Sequence, residues 1–123
     1  MQRPAGAPAH VAFPPRTNPL ATTGDRGVIT LLDVAGGPET TTRVGIITGG
    51  AGGRIEAAAA AGLDTYITGE GGHHTTFDAL EAGINVIYAG HYATETVGVK
   101  ALGQLLGERF GVAWAFHHHP TGL

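Results

Sequence analysis

Cysteine is absent from this 123-residue chain, which excludes disulfides, thiolate catalysis and cysteine-type zinc sites. Positive charge is sparse: seven Lys and Arg stand against ten Asp and Glu, a net charge of −3, with no basic run. Nucleic acids and anionic membrane surfaces require clustered positive charge, so neither is an expected partner. No apolar stretch approaches the ~18 residues of a membrane span, and the start of the chain lacks a charged-then-apolar signal pattern. A cytoplasmic location is the expectation.

Hydrophobic residues make up 42 % of the chain, near the globular norm, and the length suits one small domain with a real core. Glycine occurs 21 times, clustered at the ends of apolar runs, and six of the seven histidines follow residue 72. Residues 1–26 hold five of the seven prolines and show neither helical nor alternating periodicity. Such a segment buries too little apolar area to offset its ordering entropy, so it reads as loosely ordered, with an α/β domain over 27–123.

Within that domain Val28 to Val34 is a short apolar run suited to a strand. From Arg43 onward a strand–glycine loop–helix rhythm recurs three times. Strands are predicted at Val44–Thr48, Asp64–Thr68 and Ile84–Ala89, the first and third read as buried. Helices are predicted at Arg54–Ala61, His73–Ala82 and about Ala93–Phe110, closed by Gly62, Gly83 and Gly111 as left-handed stops. In the third helix Val97, Ala101, Leu102, Leu105, Leu106 and Phe110 form one apolar stripe, expected to face a sheet. A last apolar run, Val112 to Phe116, precedes His117, His118 and His119.

The fold class expected is therefore α/β: three-layer-type βαβ repeats with right-handed crossovers and a mostly parallel sheet. In that arrangement TGGAGG, TGEGGHH and AGHYATE all lie at the carboxyl ends of strands, where open α/β sheets place ligands. The C-terminal histidines join them only if the last run is a parallel strand. GGAGG lacks the Lys-Ser/Thr of a P-loop and the third glycine of a dinucleotide fingerprint, so it is either a tight turn or an anion contact.

In the second loop Glu70 follows a strand directly, and His74 and Asp78 are one helical turn apart. That spacing suits a metal ligand, its support or a general base, but equally two solvated first-turn residues. In the third, His91 and Glu95 are also four apart. Imidazole plus carboxylate suits Zn, Fe, Mn or Ni rather than Ca or Mg. The same pair also suits an ordinary helix start, with Glu95 complementing the dipole.

The segments RVGIITGGAGG, AAGLDTYITGEGGHH, DALEAGINVIYAGHYATETVGVKAL, LGERFG and HPTGL, in that order, closely resemble the carboxyl-terminal half of the Nif-three-like family. These are dinuclear-metal proteins often named GTP cyclohydrolase type 2 homologues. The resemblance covers about residues 28–123 and rests on three separated motifs, TGE, the His before DA, and AGHxATE. It implies an α/β fold, a toroidal homohexamer and two metal ions facing an internal cavity. It assigns His91 and Glu95 as metal ligands, and Glu70 and His74 as catalytic candidates beside them; Asp78 matches less firmly. The remaining family ligands, a His-His pair and an Asp, have no counterpart in residues 1–42, where His10 stands among prolines and Asp25 and Asp33 lack a nearby histidine pair. Where relatives carry an apolar residue and an acid before HP, this chain has His117 and His118.

The resemblance thus implies a metal-dependent hydrolase of a nucleotide-like, phosphate-containing small molecule, with a divalent Zn, Fe, Mn or Ni and an incomplete site. Metal-lowered water pKa is the physical basis of that chemistry. The alternatives are a non-catalytic oligomeric scaffold or regulatory module, or a fragment of a longer protein.

Overall fold

A computed structural model describes residues 32–120. The proline-rich segment expected to be loosely ordered lies outside the described residues. Strands β1 (Leu32–Ala35), β2 (Val44–Ile47), β3 (Thr65–Thr68) and β4 (Asn85–Tyr88) build one sheet in the order β1-β4-β3-β2. β2, β3 and β4 are parallel, and β1 is added antiparallel to β4. The expected mostly parallel sheet is present, and β1 overlaps the end of the first apolar run.

One turn of 3-10 helix, Gly52–Arg54, leads into α1 (Ile55–Ala60). α2 spans Thr75–Ala82 and α3 spans His91–Phe110. All three helices stop at the expected glycines, whose φ lies near +70° at Gly62 (74°), Gly83 (66°) and Gly111 (66°). Each predicted strand is a residue or two shorter than drawn, and α3 begins at His91 instead of Ala93.

Strand alternation decides which residues meet the helices. Tyr66 and Val86, paired in register, face α1 and α2 together with Thr68 and Tyr88. With Ile55, Ala58, Ala79, Ile84 and Val34, the side chains of Tyr66, Val86 and Tyr88 form the core. Complete burial of Ile55, Ile84 and Val86 stabilises by roughly 1.5–3 kcal/mol per side chain. The Tyr88 hydroxyl lies 2.6 Å from Thr75 Oγ1, which itself donates to the Gly72 carbonyl at 2.6 Å. That chain of bonds fixes the first turn of α2 against the end of β4.

Two expectations are corrected. β2 is not buried: it is the sheet edge, and Ile46 is 66 % exposed. The apolar stripe of α3 does not face this chain's sheet; no residue of α3 is buried, and Phe110 is 65 % exposed. α1 and α2 pack on one another and on one sheet face, so the described residues form two layers. β4 lies between β3 and the antiparallel β1, and α3, which follows it, runs clear of the sheet; a periodic stripe marks an apolar face without specifying the surface it meets.

The last apolar run forms no strand. It returns along α3 instead: Trp114 lies over Gly103 and Gly107, Lys100 sits 4.3 Å from the Phe116 ring centre, and the His119 N–H donates to the Tyr92 hydroxyl at 2.8 Å.

Candidate functional site

Three strand-to-helix loops meet at the carboxyl edge of the parallel strands. The Gly49 carbonyl, just past β2, accepts from the N–H groups of Gly69 (2.9 Å) and Glu70 (3.1 Å) and from Thr68 Oγ1 (3.2 Å). The Gly90 N–H donates to the Gly69 carbonyl at 2.9 Å, linking the third loop to the second. Thr94, in the first turn of α3, accepts from the Gly49 N–H at 3.0 Å. These bonds join segments some 20 and 40 residues apart into one platform.

Close approach dictates the glycines here. A Cβ on Gly69 would stand 2.6 Å from the Gly49 carbonyl oxygen and 2.8 Å from His91 Cα. Gly49 has φ +71°, and a Cβ there would stand 2.5 Å from Glu95 Oε1. A side chain at Gly69 would push the loops apart, and one at Gly49 would displace the Glu95 carboxylate.

On this platform His91 lies between two carboxylates. Its Nδ1 is 2.8 Å from Glu70 Oε1, and its Nε2 is 3.3 Å from Glu95 Oε1. The hydrogen bond to Glu70 raises the His91 pKa above its ordinary value; desolvation works against this, and the charges of Glu95 and Glu70 add to it. An imidazole held on both sides by carboxylates favours either a proton or a metal ion at Nε2. Glu70 as acceptor at Nδ1 keeps a proton there, which leaves Nε2 as the atom that exchanges one for the other.

The donor set fits part of a metal site. Two ligand atoms each ~2.1 Å from one ion lie roughly 3.0–3.4 Å apart in octahedral or tetrahedral geometry, and the Nε2–Oε1 separation of 3.3 Å falls in that range. Among the described residues no group of three or more His, Asp or Glu side chains is arranged to hold an ion. His91 and Glu95 alone are fewer donors than a stable metal site takes.

Of the sequence candidates, Glu70, His91 and Glu95 come together. His74 does not join them: it caps α2, its ring lies against Gly72, and no hydrogen bond or ion pair among the described residues links it to Asp78 or to His91. Within the C-terminal histidines, His118 Nδ1 lies 3.4 Å from the Tyr92 hydroxyl, one residue along α3 from His91. Sequence reasoning missed Thr94 and the Gly49 carbonyl. Their signal was a hydroxyl one helical turn from His91 and a strand-end glycine, both common enough to pass without notice.

Comparison with known proteins identifies the family. A "GTP cyclohydrolase 1 type 2 homolog" of Deinococcus radiodurans is 47 % identical over 97 residues, covering 79 % of this chain and 36 % of its own length. One of Halobacterium salinarum is 46 % identical over 101 residues, covering 82 % and 38 %. Among solved structures, protein ybgI, described as of unknown function, superposes with a TM-score of 0.71 at 38 % identity over 75 % of this chain and 38 % of the other. A protein of Thermus thermophilus, TTHA1606, gives 0.69 at 42 % identity, over 76 % and 38 %. The chain therefore spans well under half the length of the relatives it matches. The family model for Duf34/NIF3 (NGG1p interacting factor 3) matches residues 24–121, and this chain belongs to that family.

Proposed function

We propose that this chain is a metal-binding member of the Duf34/NIF3 family that contributes His91 and Glu95 to a divalent-metal centre completed by further polypeptide. The observation that carries the reading is the pair His91 Nε2 and Glu95 Oε1 at 3.3 Å with Glu70 on the opposite ring nitrogen. Bound there, a Zn, Fe, Mn or Ni ion supplies Lewis acidity and lowers the pKa of a water. Glu70 orients the imidazole, and Thr94 and Gly49 hold the first turn of α3 at the loop platform. A completed centre would act as a hydrolase on a nucleotide-like, phosphate-containing small molecule, with Glu70 near the reacting groups. His74 belongs to the catalytic set only if substrate or added polypeptide draws α2's first turn toward His91.

The names of the relatives support the substrate class, and the exposed stripe of α3 supports assembly with other chains, a homohexamer in the family resemblance. The reading places the protein in the cytoplasm; no helix among the described residues is long and apolar enough to cross a membrane. A second reading, a non-catalytic scaffold that retains a weak metal site, is favoured by the absence of a third donor among the described residues.

The test is metal content of the untagged protein after loading with Zn, Fe, Mn or Ni, repeated for His91→Ala and Glu95→Ala. Weak binding of about one ion per chain, lost in both variants, supports the half-site. No binding under any loading condition ends both readings. Metal-dependent release of formate from GTP separates the hydrolase from the scaffold.

A further inference from the structure

The segment after α3 carries three histidines that the His91–Glu95 pair does not use. It runs back along α3: Trp114 lies over Gly103 and Gly107, the Phe116 ring meets Lys100, and the His118 ring stands edge-on to Tyr92 with centroids 5.5 Å apart. From Gly103 back to Tyr92 is 11 residues, about 16 Å of helix at 1.5 Å per residue. Trp114 to His119 is five residues, which cover that distance only when nearly extended, at ~3.3 Å each. Pro120 acts in the same direction, because a proline pushes the residue before it to extended backbone, and that residue is His119.

Extended backbone sends successive side chains to opposite sides. Trp114, Phe116 and His118 form the side that meets α3. The Phe116 and His118 ring centroids are 6.3 Å apart, as neighbours two residues apart on one side should be. His117 and His119 therefore share the other side, and both are exposed. The His119 backbone N–H donates to the Tyr92 hydroxyl at 2.8 Å, but among the described residues neither the His117 nor the His119 imidazole makes a hydrogen bond.

We propose that His117 and His119 form a second metal site, separate from His91 and Glu95, which captures a late divalent transition-metal ion. Two imidazoles on one side of an extended chain close on a common ion by side-chain rotation, each nitrogen ~2.0–2.1 Å from it. Imidazole suits Cu, Ni and Zn, and the Irving–Williams order places Cu(II) first. With two protein donors and water in the rest of its shell, the ion is held weakly and exchanges. His118 is not a third donor: its ring is turned to Tyr92, with Nδ1 3.4 Å from the hydroxyl. Because Tyr92 directly follows His91, the captured ion sits at the end of α3 that carries the first pair.

Copper(II) titration tests this in the full chain carrying His91→Ala and Glu95→Ala, so that the first pair contributes nothing. Trp114 is the only tryptophan and lies three residues from His117, so quenching of its fluorescence reports the ion. About one Cu(II) per chain should bind, about tenfold or more weakly after His117→Ala or His119→Ala, and within about twofold of unchanged after His118→Ala. All three histidines are exposed, and circular dichroism checks the fold of each variant. Equal losses from all three substitutions are the pattern of a structureless histidine tract, an adventitious ion only, and overturn the proposal. So does an absence of copper binding, or binding that survives His117→Ala or His119→Ala. In the loading test of the first pair, zinc or nickel retained by His91→Ala or Glu95→Ala should be released by a further His119→Ala, which keeps the two sites distinguishable.

Discussion

The Gly49 N–H donates to Thr94 Oγ1 at 3.0 Å, across 45 residues of sequence. Gly49 is buried, so its N–H has no ready replacement partner in solvent. The bond fastens the first turn of α3 to the end of β2, and His91 and Glu95 flank Thr94 on that turn. Thr94→Val keeps the shape and removes the acceptor, leaving a buried donor unpaired at a cost of about 1–3 kcal/mol. Urea unfolding should show that loss, and Thr94→Ser should recover most of it.

Gly49→Ala tests the same platform from the other side. With φ at +71°, alanine adds about 1–2 kcal/mol of backbone strain. Its Cβ would also stand 2.5 Å from Glu95 Oε1 and displace that carboxylate from His91. The expected result is metal affinity reduced by about tenfold or more, read by competition with a chromogenic chelator. Affinity equal to that of the unaltered protein would separate Glu95 from metal binding.

Asp64 contributes to the acid-side pH dependence of stability. Burial pushes its carboxyl up, but hydrogen bonds from Thr42 Oγ1, the Thr42 N–H and the Arg43 N–H outweigh this and hold it below the ordinary 3.8. A carboxyl with a lowered folded-state pKa contributes stability that is fully present above the unfolded value. That contribution is lost as pH falls through the folded value. Denaturation of the unaltered protein should therefore steepen below about pH 4, and Asp64→Asn should flatten that limb. At neutral pH the same substitution should cost about 1 kcal/mol, since solvent partly screens these bonds.

Asn85 is wholly buried in β4, accepts from the Gly37 N–H at 2.9 Å and donates to the Pro38 carbonyl at 2.8 Å. Asn85→Leu leaves both loop groups unpaired and should cost about 2–4 kcal/mol. Hydrogen exchange should show residues 36–41 opening first, before the core around Tyr66 and Val86.

Much of the architecture was legible because it is local. Three apolar runs spaced by glycine loops and closed by Gly62, Gly83 and Gly111 specify βαβ units, and handedness then puts their loops on one edge. What misled was the stripe on α3. Its periodicity correctly marks a helix with one apolar face, but periodicity carries no information about which surface that face meets. Likewise Val44 to Ile47 has the composition of a buried strand, and its place at the sheet edge depends on which strands pair.

The candidate site divides the same way. His91 and Glu95 are four residues apart on one helix, so their proximity follows from helical pitch and was readable directly. Glu70 was a candidate by its place after a strand, but its bond to His91 Nδ1 depends on β3 and β4 lying side by side. His74 and Asp78 have the same spacing as His91 and Glu95, yet they form no such pair, because a four-residue step permits contact without requiring it.

By itself the sequence determined the elements, their order, their stops and one two-residue donor pair, all of which arise from steric and hydrogen-bonding preferences within a few residues. Tertiary structure alone decided that Glu70 completes the grip on His91, that Gly49 and Thr94 anchor α3, and that the stripe of α3 stays exposed among the described residues. Those outcomes depend on strand order and on which surfaces the rest of a chain leaves uncovered, and only packing in three dimensions sets either.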